Sequence, residues 1–507
     1  MDLFRVLLGL LRTFAPTIWF LTFLLMIEDT FLRVLSREFP FNFNAEQEAV
    51  ARELGRFIMT PNDDSAFILR GYAGTGKTTL IASLVKVMRK LNRQVVLMAP
   101  TGRAAKVFSN HASVPAYTIH KVIYRQKKAN DPGAGFSLNY NKYSHTLFIV
   151  DEASMISNQG SEHPFFGSGH LLDDLLSFVY SKPGCRLLFV GDTAQLPPVG
   201  EEDGPALMAS EISAPHFKVT SFELTEVMRQ AHESGILHNA TRLRHCLADG
   251  CGLDEIPTIR FSGFQDLRSI SGSELIEALE ESYDHCGTEQ TIVITRSNKR
   301  ANAYNQGVRS AIFGRDGGLT QGDIIMVVKN NYYWVEMEQA RAGKDHQLPM
   351  DFIANGDIAV VKRIHRFQDF YNLHFADVTL SFPDYDDFEI SLRVILDALQ
   401  SESAALSPEQ SNQLYEGVLS DYSEYPTKAK RMEQLRKDPN YNALQIKYAY
   451  AVTCHKAQGG QWEHVFIDQG WMPEGSVDHQ YYRWLYTAFT RAQQQLNLIN
   501  WPKDKQA

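Results

Sequence analysis

Residues 71–80 read GYAGTGKTTL. The stretch fits G-x-x-x-x-G-K-[ST] and stands between an apolar run, AFIL (66–69), and an amphipathic run, TTLIASLVKVMRKL (78–91). Strand, glycine loop and helix in that order cradle a phosphate. The glycines let the loop wrap with its N–H groups inward, and the helix N-terminus adds the positive end of its dipole. Gly71, Gly74, Thr75, Gly76, Lys77, Thr78 and Thr79 therefore form the candidate nucleotide site. Lys77 is expected to reach the β- and γ-phosphates and the Thr78 hydroxyl to help hold Mg²⁺, so the expected cofactors are ATP and Mg²⁺.

Working outward, three more unbroken apolar runs follow: QVVLM (94–98), TLFIV (146–150) and RLLFV (186–190). Unbroken runs mark strands buried on both faces of a parallel sheet. They lead into APTGRAAK, DEAS and GDTAQLPPVG, and ligands bind beyond the carboxyl ends of such strands. The idea recurs with TIVIT (291–295), YAYAVT (448–453), HVFID (464–468) and LNLIN (496–500), flanked by RSNKRAN, CHKAQGGQW and YTAFTRA. The chain thus reads as α/β, with two lobes. Between 323 and 390 the runs are short and alternating, as in a small β-barrel, and 395–440 is charged and helical.

Two carboxylates, Asp151 and Glu152, end the run TLFIV. Asp151 suits Mg²⁺ and Glu152 suits an attacking water. Gln195, in GDTAQLPPVG, can report a γ-phosphate through one hydrogen bond, or be an ordinary turn glutamine. Phosphoryl transfer to water needs positive charge on the transition state, and Arg229 in LTEVMRQ and Arg491 in YTAFTRA are the candidates. If Arg491 serves, the nucleotide lies between the lobes.

Net charge is −9, from 50 basic and 59 acidic residues, so any nucleic-acid site must be a local groove and not a global field. Cysteines 185, 246, 251, 286 and 454 show no C-x-x-C spacing, so neither a zinc site nor a disulfide framework is indicated, and reduced thiols in a cytoplasm are the expectation. The N-terminal stretch LFRVLLGLLRTFAPTIWFLTFLLMI (3–27) is apolar, yet its uncharged part, Thr13 to Ile27, falls short of the ~20 residues of a membrane span. Three readings stand for it: a true start at Met26, an anchor, or a buried helix. It also resembles a signal peptide, without the small-residue cleavage site.

Taken together and in order, these stretches resemble the superfamily 1 helicases, specifically the RecD-like, 5′→3′ branch. FNAEQ (43–47) looks like the adenine-reading motif, GYAGTGKTT like motif I, APTGRAAK like Ia and AYTIH (116–120) like Ib. DEAS, GDTAQLPPVG and LTEVMRQ look like motifs II, III and IV, and YAVTCHKAQGGQW (450–462) and YTAFTRA (486–492) like V and VI. The resemblance implies two RecA-like P-loop NTPase lobes with parallel sheets, a small β-hairpin insert and an SH3-like β-barrel insert.

The expected division is a leader and N-terminal helix (1–40), a first lobe (41–215) and the first part of the second lobe (216–322). The barrel follows (323–395), then a helical segment and completion of the second lobe (396–507). The hairpin insert is expected at about 121–145, with DPGAG as the turn of a duplex-splitting pin. Gln47 and Gly459 join the nucleotide site by the same resemblance. Thr101, Gly102, Arg103, Thr118, His120, Thr453, His455 and Lys456 become strand contacts, and Tyr332, Tyr333 and Trp334 are either base-stacking rings or barrel core.

The implied function is an ATP-dependent DNA helicase or translocase acting on single strands and duplex junctions, with roles in DNA repair and recombination. The residues themselves do not distinguish DNA from RNA. The rival readings are a phosphotransferase, which would not need motifs V and VI or a second lobe, and a P-loop switch, which would show nucleotide-dependent partner binding and no strand-stimulated turnover.

Overall fold

The computed structural model describes residues 28–59, 65–126, 136–160, 166–212, 217–227, 233–250, 252–343, 348–350, 352–403, 405–473 and 475–507. The apolar leader with Met26, the DPGAG turn and Arg229 lie outside the described residues.

In chain order the first lobe contributes β1 (Ser65–Gly71), β2 (Val95–Ala99) and β3 (Ala116–Thr118), then a hairpin of β4 (Tyr124–Gln126) and β5 (Phe136–Leu138). It goes on with β6 (Leu147–Val150), β7 (Arg186–Gly191) and β8 (Lys218–Leu224). Apart from the hairpin these form one six-stranded sheet, order β3-β2-β6-β7-β1-β8, with every pair parallel. The apolar runs are unbroken because both faces are covered. Alternate residues divide between two cores, Phe67, Leu69, Ile149 and Leu188 on one face and Ala66, Ile68, Phe148 and Phe189 on the other. Three helices of this lobe matter below: α1 (Ala45–Met59), α2 (Lys77–Lys90) and α3 (Gly102–Ala112).

The expected boundary after residue 215 is corrected by β8, which pairs with β1 from Ser65↔Lys218 to Gly71↔Leu224. KVTSFEL is half-exposed along most of its length. A strand at a sheet edge does not need an unbroken apolar run, so the signal that found the other strands is absent there.

The second lobe begins with α4 (Gly235–Asp249), β9 (Leu267–Ile270) and β10 (Thr291–Thr295). The chain then leaves for the barrel: β11 (Ile324–Val327), β12 (Ile358–Phe370), β13 (Leu373–Phe382), β14 (Phe388–Ile395) and β15 (Leu444–Tyr448), which close on one another. The fifth strand comes from beyond the 323–395 window, after helices at Pro408–Asp421 and Lys428–Lys437. The chain returns through β16 (Ala451–Thr453), β17 (Trp462–Asp468), α5 (His479–Phe489) and β18 (Ala492–Ile499). The second sheet has the order β16-β10-β17-β18-β9, again all parallel.

YAYAVT is therefore not one strand. Ala449 N–H donates to Ile324 of the barrel and Tyr450 accepts from Val293 of the second sheet, so the chain changes sheets within two residues. Continuous burial on both sides of the switch hides it from the hydrophobic pattern. The junction is held by Asp323, fully buried, whose carboxylate accepts from Arg309 (3.1 Å), Arg315 (3.0 Å), the Thr320 N–H (2.8 Å) and the Tyr450 hydroxyl (3.2 Å). A buried charge so fully partnered fixes the barrel on its lobe, and removing one partner costs ~3–5 kcal/mol.

Candidate nucleotide and strand sites

The P-loop runs from the end of β1 into α2. Gly76 has φ 84°, and a side chain there would stand 2.8 Å from the Gln47 amide. Gln47, fully buried on α1, donates to the Thr75 carbonyl at 3.0 Å. The ammonium of Lys77 folds over the loop and donates to the carbonyls of Gly71 (2.6 Å) and Tyr72 (2.8 Å). These groups open onto a cleft of about 370 Å³ that Gly74, Gly76, Lys77, Thr78, Thr79, Asp151, Glu152 and Gln195 line from the first lobe. Gly459 and Arg491 line it from the second. One cleft is thus lined from both lobes.

Across that cleft, Arg491 Nη1 lies 3.6 Å from Glu152 Oε1. Arg491 is nearly fully buried and donates to the carbonyls of Thr487 (3.1 Å) and Gly460 (3.2 Å) and to Thr490 Oγ1 (3.0 Å), so its guanidinium is aimed before any ligand arrives. Glu152 stands in the left-handed region (φ 52°) just after β6, and its N–H donates to Asp151 Oδ1 at 2.9 Å. Burial pushes the Asp151 carboxyl up to about 7, with the Glu152 charge adding and Lys77 opposing. Gln195 is buried, and its Oε1 has no hydrogen-bond partner among the described residues.

Five residues in or beside the cleft had no role in the motif reading. Asp192, in GDTAQLPPVG, and Tyr486, in YTAFTRA, meet across the lobes at 2.6 Å, and both are buried. Arg244 donates to the Thr225 carbonyl (2.9 Å) and lies over the Tyr72 ring at 4.2 Å, beside Glu46, which accepts from Thr225 and Glu226. Asp192, Tyr72 and Tyr486 stood inside quoted motifs, but their partners lie far along the chain. Arg244 carries no signal beyond an amphipathic helix.

The expected strand contacts fare unevenly. Thr101 and Thr118 cap their own helices, accepting from Ala104 N–H (3.2 Å) and Lys121 N–H (3.3 Å). Gly102 faces the barrel: a side chain there would meet the Tyr385 hydroxyl at 2.4 Å and Asp357 at 2.8 Å. Arg103 reaches the other lobe, donating to the Gln461 carbonyl (3.0 Å) and lying 4.0 Å over the Trp462 ring. His120 sits among Tyr124, Phe166 and Phe352, and burial lowers its pKa to about 4, so it is uncharged at neutral pH. Lys456 bonds to Asn355 of the barrel. Thr453, whose hydroxyl makes no cap bond, and exposed His455 are the side chains of this set not engaged in these internal contacts.

Tyr332 and Tyr333 are buried, and Trp334 donates to the Asn442 carbonyl at 2.8 Å. For Tyr332 and Tyr333 this is the core alternative, while Trp334 is only half-buried. They pack beneath the barrel, at the start of a helix (Tyr333–Ala342) that the barrel reading did not anticipate.

Residues 42–250 match the AAA domain family, and residues 448–499 match the UvrD-like helicase C-terminal domain. Among individual relatives, the ATP-dependent RecD2 DNA helicase of Deinococcus radiodurans is 28% identical over 52% of this chain and 34% of its own. The ATP-dependent DNA helicase dda of Enterobacteria phage T4 is 26% identical over 51% of this chain and 55% of its own. An uncharacterized protein, R530 of Acanthamoeba polyphaga mimivirus, is 22% identical over 90% of this chain and 99% of its own. The chain thus spans about a third and about half of the two helicases it matches. Among the described residues no helix is long and apolar enough to cross a membrane.

Proposed function

We propose that the chain is a RecD-like superfamily 1 helicase, an ATP-driven motor that moves 5′→3′ along single-stranded DNA and unwinds duplex. The observation that carries the reading is the approach of Arg491, from the second lobe, to Glu152, from the first, over the P-loop. A switch or phosphotransferase confined to one lobe has no use for a buried arginine supplied by another.

ATP is the nucleotide of this reading, with Lys77 on its outer phosphates. Thr78 and Asp151 line the same cleft and offer a hydroxyl and a carboxylate, the hard oxygen donors that suit Mg²⁺. When bound, the ion would neutralise phosphate charge. Glu152 orients the attacking water, Gln195 senses the γ-phosphate and Arg491 stabilises the charge that develops. Arg229 is left as a second candidate for that role. Binding and hydrolysis move the strand only if the lobes grip DNA with different affinities in the open and closed states. The strand is expected to run past Thr453 and His455, and such backbone contacts carry little sequence preference. The cytoplasm is the compartment that fits.

The test is ATP hydrolysis with and without a single-stranded oligonucleotide, of DNA and of RNA, for the native chain and Lys77→Ala. Strong stimulation by DNA, abolished in the variant with strand binding intact, is the expected result. Robust turnover indifferent to either nucleic acid would replace the motor with a switch, and retained turnover in Lys77→Ala would displace the site.

A further inference from the structure

Helix α5 presents three side chains to the first lobe at spacing i, i+3, i+4, the spacing of one helix face. Arg483 donates to the Thr193 carbonyl (3.0 Å) and to Asp203 (2.6 Å). Thr487 Oγ1 accepts from the Leu196 N–H (2.9 Å), and Gln458 Nε2 donates to the Leu196 carbonyl (2.6 Å). Between them stands Tyr486, 1% exposed. Its hydroxyl donates to Asp192 Oδ2 at 2.6 Å and accepts from the N–H of Ala73, inside the P-loop, at 2.9 Å. One oxygen atom from the second lobe thus joins the phosphate loop to the GDTAQ loop that carries Gln195.

We propose that Tyr486 is a positioning residue that couples the P-loop and the Asp192–Gln195 loop to the second lobe, so that turnover follows the relative placement of the lobes. The proposal rests on the motor reading and deepens it. Tyr486 is not among the groups that line the nucleotide cleft, whereas Asp192 and Ala73 are. Its hydroxyl has one proton, given to Asp192, and keeps its lone pairs for Ala73. The Asp192 carboxylate also accepts from the Ala194 N–H (3.0 Å), which ties its position to the backbone leading to Gln195. If the second lobe moves, α5 carries the hydroxyl with it, and both loops lose or gain a partner at once. Arg491 follows on the same stretch of chain, so the arginine and the two loops report one motion.

The test is a double-mutant cycle on ATP turnover with Tyr486→Phe and Asp192→Asn, read beside the affinity for a fluorescent ATP analogue. Tyr486→Phe removes a single oxygen and keeps the ring. Each single variant should lower DNA-stimulated turnover about tenfold, and Tyr486→Phe, which lies outside the cleft, should hold ATP affinity within about twofold. The double variant should lose the same tenfold and no more, because both changes break one junction. A loss near a hundredfold in the double variant, unaltered turnover in Tyr486→Phe, or loss of ATP binding by that variant would each overturn the proposal. If DNA fails to stimulate the native chain, the motor reading falls, and the same cycle on DNA-independent turnover still decides the role of Tyr486.

Discussion

Asp151 illustrates how much of the site's chemistry is set at a single residue. Burial holds its carboxyl at about 7, with the neighbouring Glu152 charge adding to the shift. Such a group is largely protonated at pH 6 and largely ionised at pH 8, and only the carboxylate binds a hard divalent cation. Binding of Mn²⁺, as a spectroscopic substitute for Mg²⁺, should tighten roughly tenfold from pH 6 to 8, following the ionised fraction of a group with pKa near 7. Asp151→Asn should remove that pH dependence, and a flat profile in the native chain would exclude Asp151 as a ligand. His120 shows the opposite outcome. AYTIH marked it as a strand contact, but its ring is packed among aromatic neighbours and uncharged at neutral pH. The motif identifies the segment, while the packing decides what the side chain can do.

At the scale of elements, the informative contact is between α3 and the barrel. The Tyr385 hydroxyl and Asp357 stand against Gly102 at the first turn of α3, and only glycine leaves room for them. Lys106 of the same helix pairs with Asp386. Asp357 is buried, accepts from the Ala354 N–H at 2.7 Å, and is pushed up to about 7 from 3.8, chiefly by burial. Its folded pKa exceeds its unfolded value, so its stabilising contribution is complete below pH 3.8 and is lost as pH rises through about 7. Asp357→Asn should therefore melt a few degrees above the native chain at pH 8, with a clearly smaller gap at pH 5. A difference that does not grow with pH would mean that this carboxyl does not carry the penalty.

Across the whole molecule, the hairpin of β4 and β5 and the barrel meet through rings contributed by distant segments. Phe136 of β5 packs on Phe166 (5.0 Å) and Tyr332 (4.7 Å), and Phe352 packs on Tyr332 (4.8 Å). On the motor reading proposed above, the hairpin is the pin that splits duplex, and this cluster would be its brace. Phe352→Ala should lower duplex unwinding severalfold more than DNA-stimulated ATP hydrolysis, since it loosens the brace and leaves the nucleotide cleft intact. Equal loss of both activities would mean that the cluster serves general stability instead.

The residues that make each strand and phosphate loop were legible because their determinants are local. A doubly covered strand needs an unbroken apolar run, and a phosphate loop needs glycines and a lysine at set spacing before a helix. The edge strand β8 escaped because an exposed edge imposes no such run. The change of sheets at Ala449–Tyr450 escaped because burial is continuous across it.

By itself, the sequence determined that there are two α/β lobes, and it marked the P-loop, Glu152 and Arg491 as candidates for one nucleotide site. Tertiary structure alone decided that Arg103 bonds across the lobes, that Tyr332 is packing material, and that one tyrosine hydroxyl joins the P-loop to the GDTAQ loop. Backbone conformation is governed by neighbours a few residues away. The partner of a buried polar atom is whichever group the packed chain brings within about 3 Å, and for Tyr486 those groups lie hundreds of residues distant.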